Sequence, residues 1–284
     1  MPVLAAVLAI GLLSGLDGAV KAVAADHPIP QVVALRFGFG VALSLVLALA
    51  VRAPLPGRGG FRRAAVRGLA ILGTTGLFFT ALTRLPLAEA IAITFISPFM
   101  MVLASRVLLG EPITGRSIVA IGIGFAGVLF MLAGNMASGI GGDPVGYALA
   151  ISASLTYAVA IVLTRRDSGS DPVVTLVLAQ NVIVALAALP VGLSTWVTPD
   201  LDGWLLFFLA GLLGTAGHVI LAFAYSRAPA TRLAPLEYTA FLWAAGLGWA
   251  FWNEIPTLAT LVGAGLIIAA AITTSPAPAP VDGS

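Results

Sequence analysis

Residues 81–114 read ALTRLPLAEAIAITFISPFMMVLASRVLLGEPIT, and residues 224–257 read AYSRAPATRLAPLEYTAFLWAAGLGWAFWNEIPT. Each opens on an Arg-X-Pro turn, Arg84-Leu85-Pro86 or Arg227-Ala228-Pro229, and closes on a Glu close to a Pro, Glu111-Pro112 or Glu254-Ile255-Pro256. Residues 90–105 and 238–253 between these turns carry no Asp, Glu, Lys or Arg. A helix on the surface of a soluble protein carries a polar face, whereas a helix in lipid carries almost none. Each stretch therefore reads as one membrane span, bounded by proline-marked connectors.

The same pattern extends outward. Further charge-free runs cover 1–16, 37–51, 68–83, 117–142, 144–164, 172–199, 203–226 and 255–281. A spanning helix needs about 20 mostly apolar residues and tolerates charge near its ends. The runs predict ten spans, at 3–24, 30–51, 64–84, 88–109, 113–135, 144–166, 172–195, 204–227, 231–252 and 256–274. Composition agrees: 60% of the 284 residues are apolar and 9% charged, far below the roughly 25% charge of a soluble domain. The expected fold is an all-α, multi-pass membrane protein whose neighbour is the lipid bilayer. The Pro/Ala-rich end, 275–284, is expected to be a disordered tail.

Several chemistries drop out. There is no Cys, and His occurs only at 27 and 218, so no disulfide, thiolate nucleophile, metal site or cofactor is expected. The first residues lack the basic region of a cleaved signal peptide, so the first span is expected to stay. Gly122-Ile123-Gly124-Phe125-Ala126-Gly127 matches a dinucleotide-binding fingerprint. That motif requires a preceding strand, and inside a charge-free run it reads as close helix packing. No Gly-Lys-Ser/Thr phosphate loop occurs, so transport would run on gradients. A membrane enzyme would need paired carboxylates or a nucleophile–base set, and spacing shows neither.

The basic residues set an orientation. Eleven of the 14 Lys and Arg fall in connectors after even-numbered spans (Arg52, Arg58, Arg62, Arg63, Arg67, Arg106, Arg116, Arg165, Arg166, Arg227 and Arg232). Connectors after odd-numbered spans hold Arg84 alone. Positive-inside logic places both termini in the cytoplasm, and it accounts for the basic residues without nucleic acid. An offset of 143 superposes Arg84-Leu85-Pro86 on Arg227-Ala228-Pro229 and Glu111 on Glu254, and an offset of 144 pairs Pro28 with Pro172. Two repeats of five spans, 1–137 and 143–274, have opposite orientations because five is odd. This is a transporter design with its site near the midplane.

On the two hairpins quoted above, the chain resembles the paired EamA repeats of the drug/metabolite transporter superfamily, within it most nearly YddG-type amino-acid exporters. The likeness covers nearly the whole chain. It implies a secondary transporter of the bacterial inner membrane, exporting small neutral or aromatic amino acids or related metabolites as a monomer. A multidrug exporter of lipophilic compounds is the alternative, with a lipid-modifying enzyme behind it. One departure is that Gln180 stands where the first repeat has Arg36 (offset 144).

Candidate site residues follow from depth. Span midpoints fall near Ser14, Thr74/Thr75, Pro98, Tyr157, Thr215 and Trp243, with His218 one turn beyond Thr215. With Phe78, Phe79, Thr94 and Tyr238 they predict a substrate layer of polar and aromatic groups. Pro98 removes a helix hydrogen bond and frees the carbonyl of Thr94, with Ser97 placed to satisfy it. Because offset 143 pairs Pro98 with Phe241, the two halves are expected to bend differently. Asp17 and Lys21 lie i,i+4 on one face and are expected to neutralise each other. With Arg36 they form a coupling or gating group, or meet the amine and carboxylate of a zwitterion. Glu111 and Glu254 read as carboxylates favouring the N-terminus of the following helix. Of the charges inside spans, Glu89 and Glu237 remain.

Overall fold

The computed structural model describes residues 2–54, 58–110, 113, 115–139, 143–166, 172–227 and 234–274. Within them the secondary structure is all helical. The order is α1 (Pro2–Val23), α2 (Ile29–Ala50), α3 (Arg58–Leu82), α4 (Leu87–Thr94), α5 (Ser97–Leu109), α6 (Gly115–Ser138), α7 (Pro144–Arg166), α8 (Val173–Ser194) and α9 (Leu201–Arg227). A 3-10 turn (Ala234–Tyr238) leads into α10 (Thr239–Trp252), and α11 (Leu258–Thr274) follows. The tail 275–284, Glu111 and Pro112 lie outside the described residues.

Prolines set the starts, as expected. Pro28, Pro86 and Pro172 stand in extended conformation immediately before α2, α4 and α8. There their fixed φ suits helix entry and the missing N–H would have no intrahelical partner anyway. Gly110 ends α5 in the left-handed region (φ 72°) and Asn253 ends α10 there (φ 53°). Gly and Asn tolerate that conformation best.

Seven helices are long and apolar enough to cross a membrane, and α4 with α5, meeting at a 41° bend, makes up to eight. The remaining two, α10 and α11, have 14 and 17 residues. Apolar side chains face outward all around, among them Leu4, Val107, Phe251 and Leu258, each more than 70% exposed. A soluble surface would not tolerate so wide an apolar coat, whereas lipid solvates it.

The helices pair across the chain. α1 packs on α9, α3 on α7, α2 on α8 and α6 on α11, while α2 also meets α9 and α3 meets α8. Each pairing joins a helix before residue 139 to one after residue 143. Small residues bring the backbones close, which is the role expected of the glycine motif. A Cβ on Gly124 would lie 2.5 Å from the Phe99 ring, and one on Gly127 would lie 2.9 Å from the Gly263 carbonyl oxygen. At the centre sits α4, whose residues 87–93 are all buried.

Candidate functional site

A broken helix and a 3-10-to-α junction meet in the core. α4 stops at Thr94, and Ser97 Oγ donates to the Thr94 carbonyl that the break leaves free. That is the repair expected beside Pro98, which lies in the first turn of α5; its side chain lies outside the described residues. The two halves differ here, in line with the pairing of Pro98 with Phe241: α4 and α5 meet at a 41° bend, whereas the second half runs from a 3-10 turn directly into an α-helix. There the 3-10 turn gives way to α10 at Thr239, whose hydroxyl donates to the Leu236 carbonyl at 2.6 Å. Pro235 lies in that turn, as Pro98 lies in the first turn of α5, and in each half a hydroxyl three residues on bonds the carbonyl. Phe95, the first turn residue after α4, and Tyr238, the last of the 3-10 turn, stand 143 apart in sequence, and their rings pack edge to face at 5.1 Å.

The intramembrane charges sort differently from the expectation. Lys21 does not pair with Asp17. Its ammonium bonds Glu254 Oε1 and donates to the Leu85 carbonyl at 2.9 Å. Glu254 Oε2 accepts the Leu87 N–H at 2.8 Å. Glu254 does serve a helix N-terminus, but that of α4 in the other half rather than that of α11. Tertiary proximity overrides the i,i+4 pair because Glu254 offers Lys21 a full charge while its other oxygen caps α4. On the neighbouring connectors Arg84 pairs with Asp143 at 3.0 Å. This hydrogen bond holds the Asp143 carboxyl below its usual range.

Asp17 instead faces Arg36 and interacts with it electrostatically. Arg36 is 7% exposed, and its guanidinium lies 3.8 Å from the Phe37 ring centroid. It packs against α9 where Gly214 leaves room: a Cβ there would stand 2.7 Å from Arg36 Nη2. His218, one turn on, holds Nδ1 2.6 Å from the Gly214 carbonyl oxygen. A carbonyl only accepts, so that nitrogen carries the proton and Nε2 is left as an acceptor. α1, α2 and α9 therefore bring Asp17, Arg36 and His218 together, and Lys21 is held elsewhere.

The rest of the expected layer divides. Ser14 and Thr75 are buried, and the Thr75 hydroxyl bonds its own helix at Ile71 O, 2.7 Å away. Thr94 likewise bonds the Ile91 carbonyl at 2.7 Å. Phe79, 3% exposed, belongs to the core, while Phe78 is half-buried against it. Tyr157 and Tyr238 both lie within electrostatic reach of Glu237. Trp243 is exposed and lays its indole 3.1 Å from where a Gly11 Cβ would be.

Sequence reading missed a buried polar chain. The Tyr147 hydroxyl donates to Glu89 Oε1, and the Asn135 amide reaches Tyr147 at 3.4 Å and Thr260 at 3.1 Å. Thr257 in turn donates to the Asn135 oxygen. Asn135, alone in its long apolar run, was the available signal. Gln31, fully buried, exchanges two bonds with the Val197 backbone (2.7 and 2.9 Å). No group of three potential metal-ligating side chains occurs among the described residues.

Known proteins place this architecture. The pseudopaline exporter CntI of Pseudomonas aeruginosa (strain UCBPP-PA14) is 30% identical over 96% of this chain and 95% of its own. The S-adenosylmethionine uptake transporter of Rickettsia prowazekii (strain Madrid E) is 26% identical over 73% of this chain and 69% of its own. The riboflavin transporter of Rhizobium johnstonii is 28% identical over 72% and 66%. A crystal structure of another protein superposes over 96% of this chain and 95% of its own with a TM-score of 0.64 at 24% identity, which shows the shared fold. The EamA-like transporter family matches twice, over residues 1–133 and 144–275. With helices paired across these two segments and an apolar coat for lipid, the chain is a multi-pass membrane protein of the EamA-like transporter family.

Proposed function

We propose that this protein is a secondary active transporter of the bacterial inner membrane that exports small neutral or aromatic amino acids, or related metabolites, by alternating access. Its ten spans form two inverted five-helix repeats with both termini in the cytoplasm. α4–α5 is one span, and the 3-10 turn with α10 is its counterpart. The observation that carries this reading is the cross-pairing of α1 with α9 and α3 with α7, together with the Phe95–Tyr238 contact between positions 143 apart. Equivalent residues touch only near an axis relating the halves, which is where an inverted-repeat transporter binds its substrate.

The mechanism follows from the breaks. The first-half span is interrupted between α4 and α5, and its counterpart changes from 3-10 turn to α-helix at the equivalent place. Both places can flex without losing backbone hydrogen bonds, because Ser97 and Thr239 already bond the carbonyls there. Rocking of these hairpins opens the centre alternately to either face. At the faces joined by odd-numbered connectors, the Lys21–Glu254 and Arg84–Asp143 pairs close the path. Phe78, Tyr157, Tyr238 and Trp243 suit an apolar or aromatic substrate body, and interior charge is too scarce for a strongly charged one.

The test is uptake of a panel of labelled amino acids into proteoliposomes of the purified chain, with and without an imposed pH gradient. Saturable flux competed by unlabelled amino acid is expected. Flux of lipophilic cations with none of any amino acid supports the multidrug alternative instead.

A further inference from the structure

We infer that Arg36 is the anchor for a carboxylate of the transported molecule and that Asp17, across from it, takes the molecule's ammonium. The inference deepens the transporter reading above and names the chemistry of one subsite within it.

Arg36 is 7% exposed, and its buried Nε has no hydrogen-bond partner. Asp17 interacts with it only at range, since no ion pair within 4.0 Å joins them. A guanidinium in a span is costly unless it is paired, and two opposite charges placed to collapse onto one another normally do so. Here they stay apart. Phe37 covers one side of the guanidinium at 3.8 Å, and the α9 backbone at Gly214 supports it where a Cβ would intrude to 2.7 Å.

Lys21 supplies the contrast within the same helix pair. Its charge is paired with Glu254 and two of its three donors are taken, by Glu254 and the Leu85 carbonyl. Arg36 has a planar donor fork of the kind that grips a carboxylate through two parallel bonds. The separated Asp17 carboxylate matches a positive group on the same molecule, and His218, bonded to the Gly214 carbonyl at the turn Arg36 packs on, keeps Nε2 as an acceptor. A zwitterion placed between Asp17 and Arg36 completes both charges without adding net charge to the membrane interior. Gln180 at the equivalent place in the second half keeps the site single and asymmetric.

The experiment measures binding and transport separately on the full purified chain. L-phenylalanine, phenethylamine (no carboxylate) and hydrocinnamate (no amine) are titrated by thermal shift. L-phenylalanine exchange is followed in proteoliposomes. We expect stabilisation by phenylalanine, weakly by hydrocinnamate and not by phenethylamine. Arg36→Gln should weaken the phenylalanine response at least tenfold, and Arg36→Lys should recover part of it. Gly214→Ala keeps the charge but displaces the fork, so it should reproduce the loss even if Arg36→Gln fails to fold. Equal responses to phenylalanine and phenethylamine, or an unchanged response in Gly214→Ala and Arg36→Gln, overturn the inference. So does the absence of any response to phenylalanine and hydrocinnamate. Carboxylate-dependent binding without any flux would leave this inference standing and overturn the transport reading. Flux of lipophilic amines indifferent to Arg36 would do the reverse.

Discussion

Replacing Glu254 by Gln tests how the connectors around α4 are held. Glu254 makes two bonds, one to the Lys21 ammonium and one to the Leu87 N–H at 2.8 Å, and the Lys21 and Glu254 side chains are only 10% and 20% exposed. Removing one partner of a buried pair costs about 3–5 kcal/mol because the other charge is stranded. Lys21 retains the Leu85 carbonyl and some solvent, which places Glu254→Gln at about 2–3 kcal/mol. Lys21→Met should cost less, about 1–2 kcal/mol, because Glu254 would still favour the N-terminus of α4. At about 2–4 °C per kcal/mol for a large domain, Glu254→Gln should lower the apparent melting temperature by roughly 4–12 °C in detergent, read by fluorescence-detected gel filtration. The charge swap Lys21→Glu/Glu254→Lys should not restore it. Residue 21 would then meet the Leu85 carbonyl without a donor, and residue 254 would meet the Leu87 N–H without an acceptor. A swap that melts like the parent would show a simple ion pair and refute this reasoning, as would an unaltered Glu254→Gln.

Other outcomes follow from the same geometry. Tyr147→Phe removes the donor to Glu89 and leaves a 3%-exposed carboxyl without that bond; the expected loss is about 1–3 kcal/mol, read as a lowered melting temperature. The Arg84 bond holds the Asp143 carboxyl below the usual carboxylate range, so the contribution of this pair is present above that range and is lost as pH falls through the lowered folded pKa. Carbon-detected NMR of Asp-labelled protein should find this group titrating below the usual carboxylate range and returning toward it in Arg84→Gln. Because the chain has no Cys, single cysteines report topology cleanly. Cysteine at the exposed Arg62 should react with an impermeant maleimide only from the cytoplasmic face, and at the exposed Asp200 only from outside; the opposite pattern would invert the orientation.

How far the sequence carries differs from residue to residue. The break near Thr94 was legible because Pro98 removes a defined hydrogen bond, and Ser97 was legible as its repair. The passage from 3-10 turn to α-helix at Tyr238 was not, since Pro235 falls inside the turn and does not mark where it ends. The glycines at 124 and 127 were readable as packing positions, although their partners, Phe99 and Gly263, were not. Lys21 was misassigned because helical periodicity shows only neighbours three or four residues away, and Glu254 lies 233 residues along the chain.

The sequence alone determined that this chain lives in lipid, where its helices begin and that its two halves repeat. Those properties depend on local physics: the cost of charge in hydrocarbon, the missing N–H of proline and the length of a run. The tertiary structure decided which charges meet. It alone showed Lys21 closed off by Glu254, Tyr147 and Asn135 gathered around Glu89, and Arg36 held opposite Asp17 without touching it. In a low-dielectric interior the effect of a charge depends on what lies within a few ångströms, and distance along the chain does not report that.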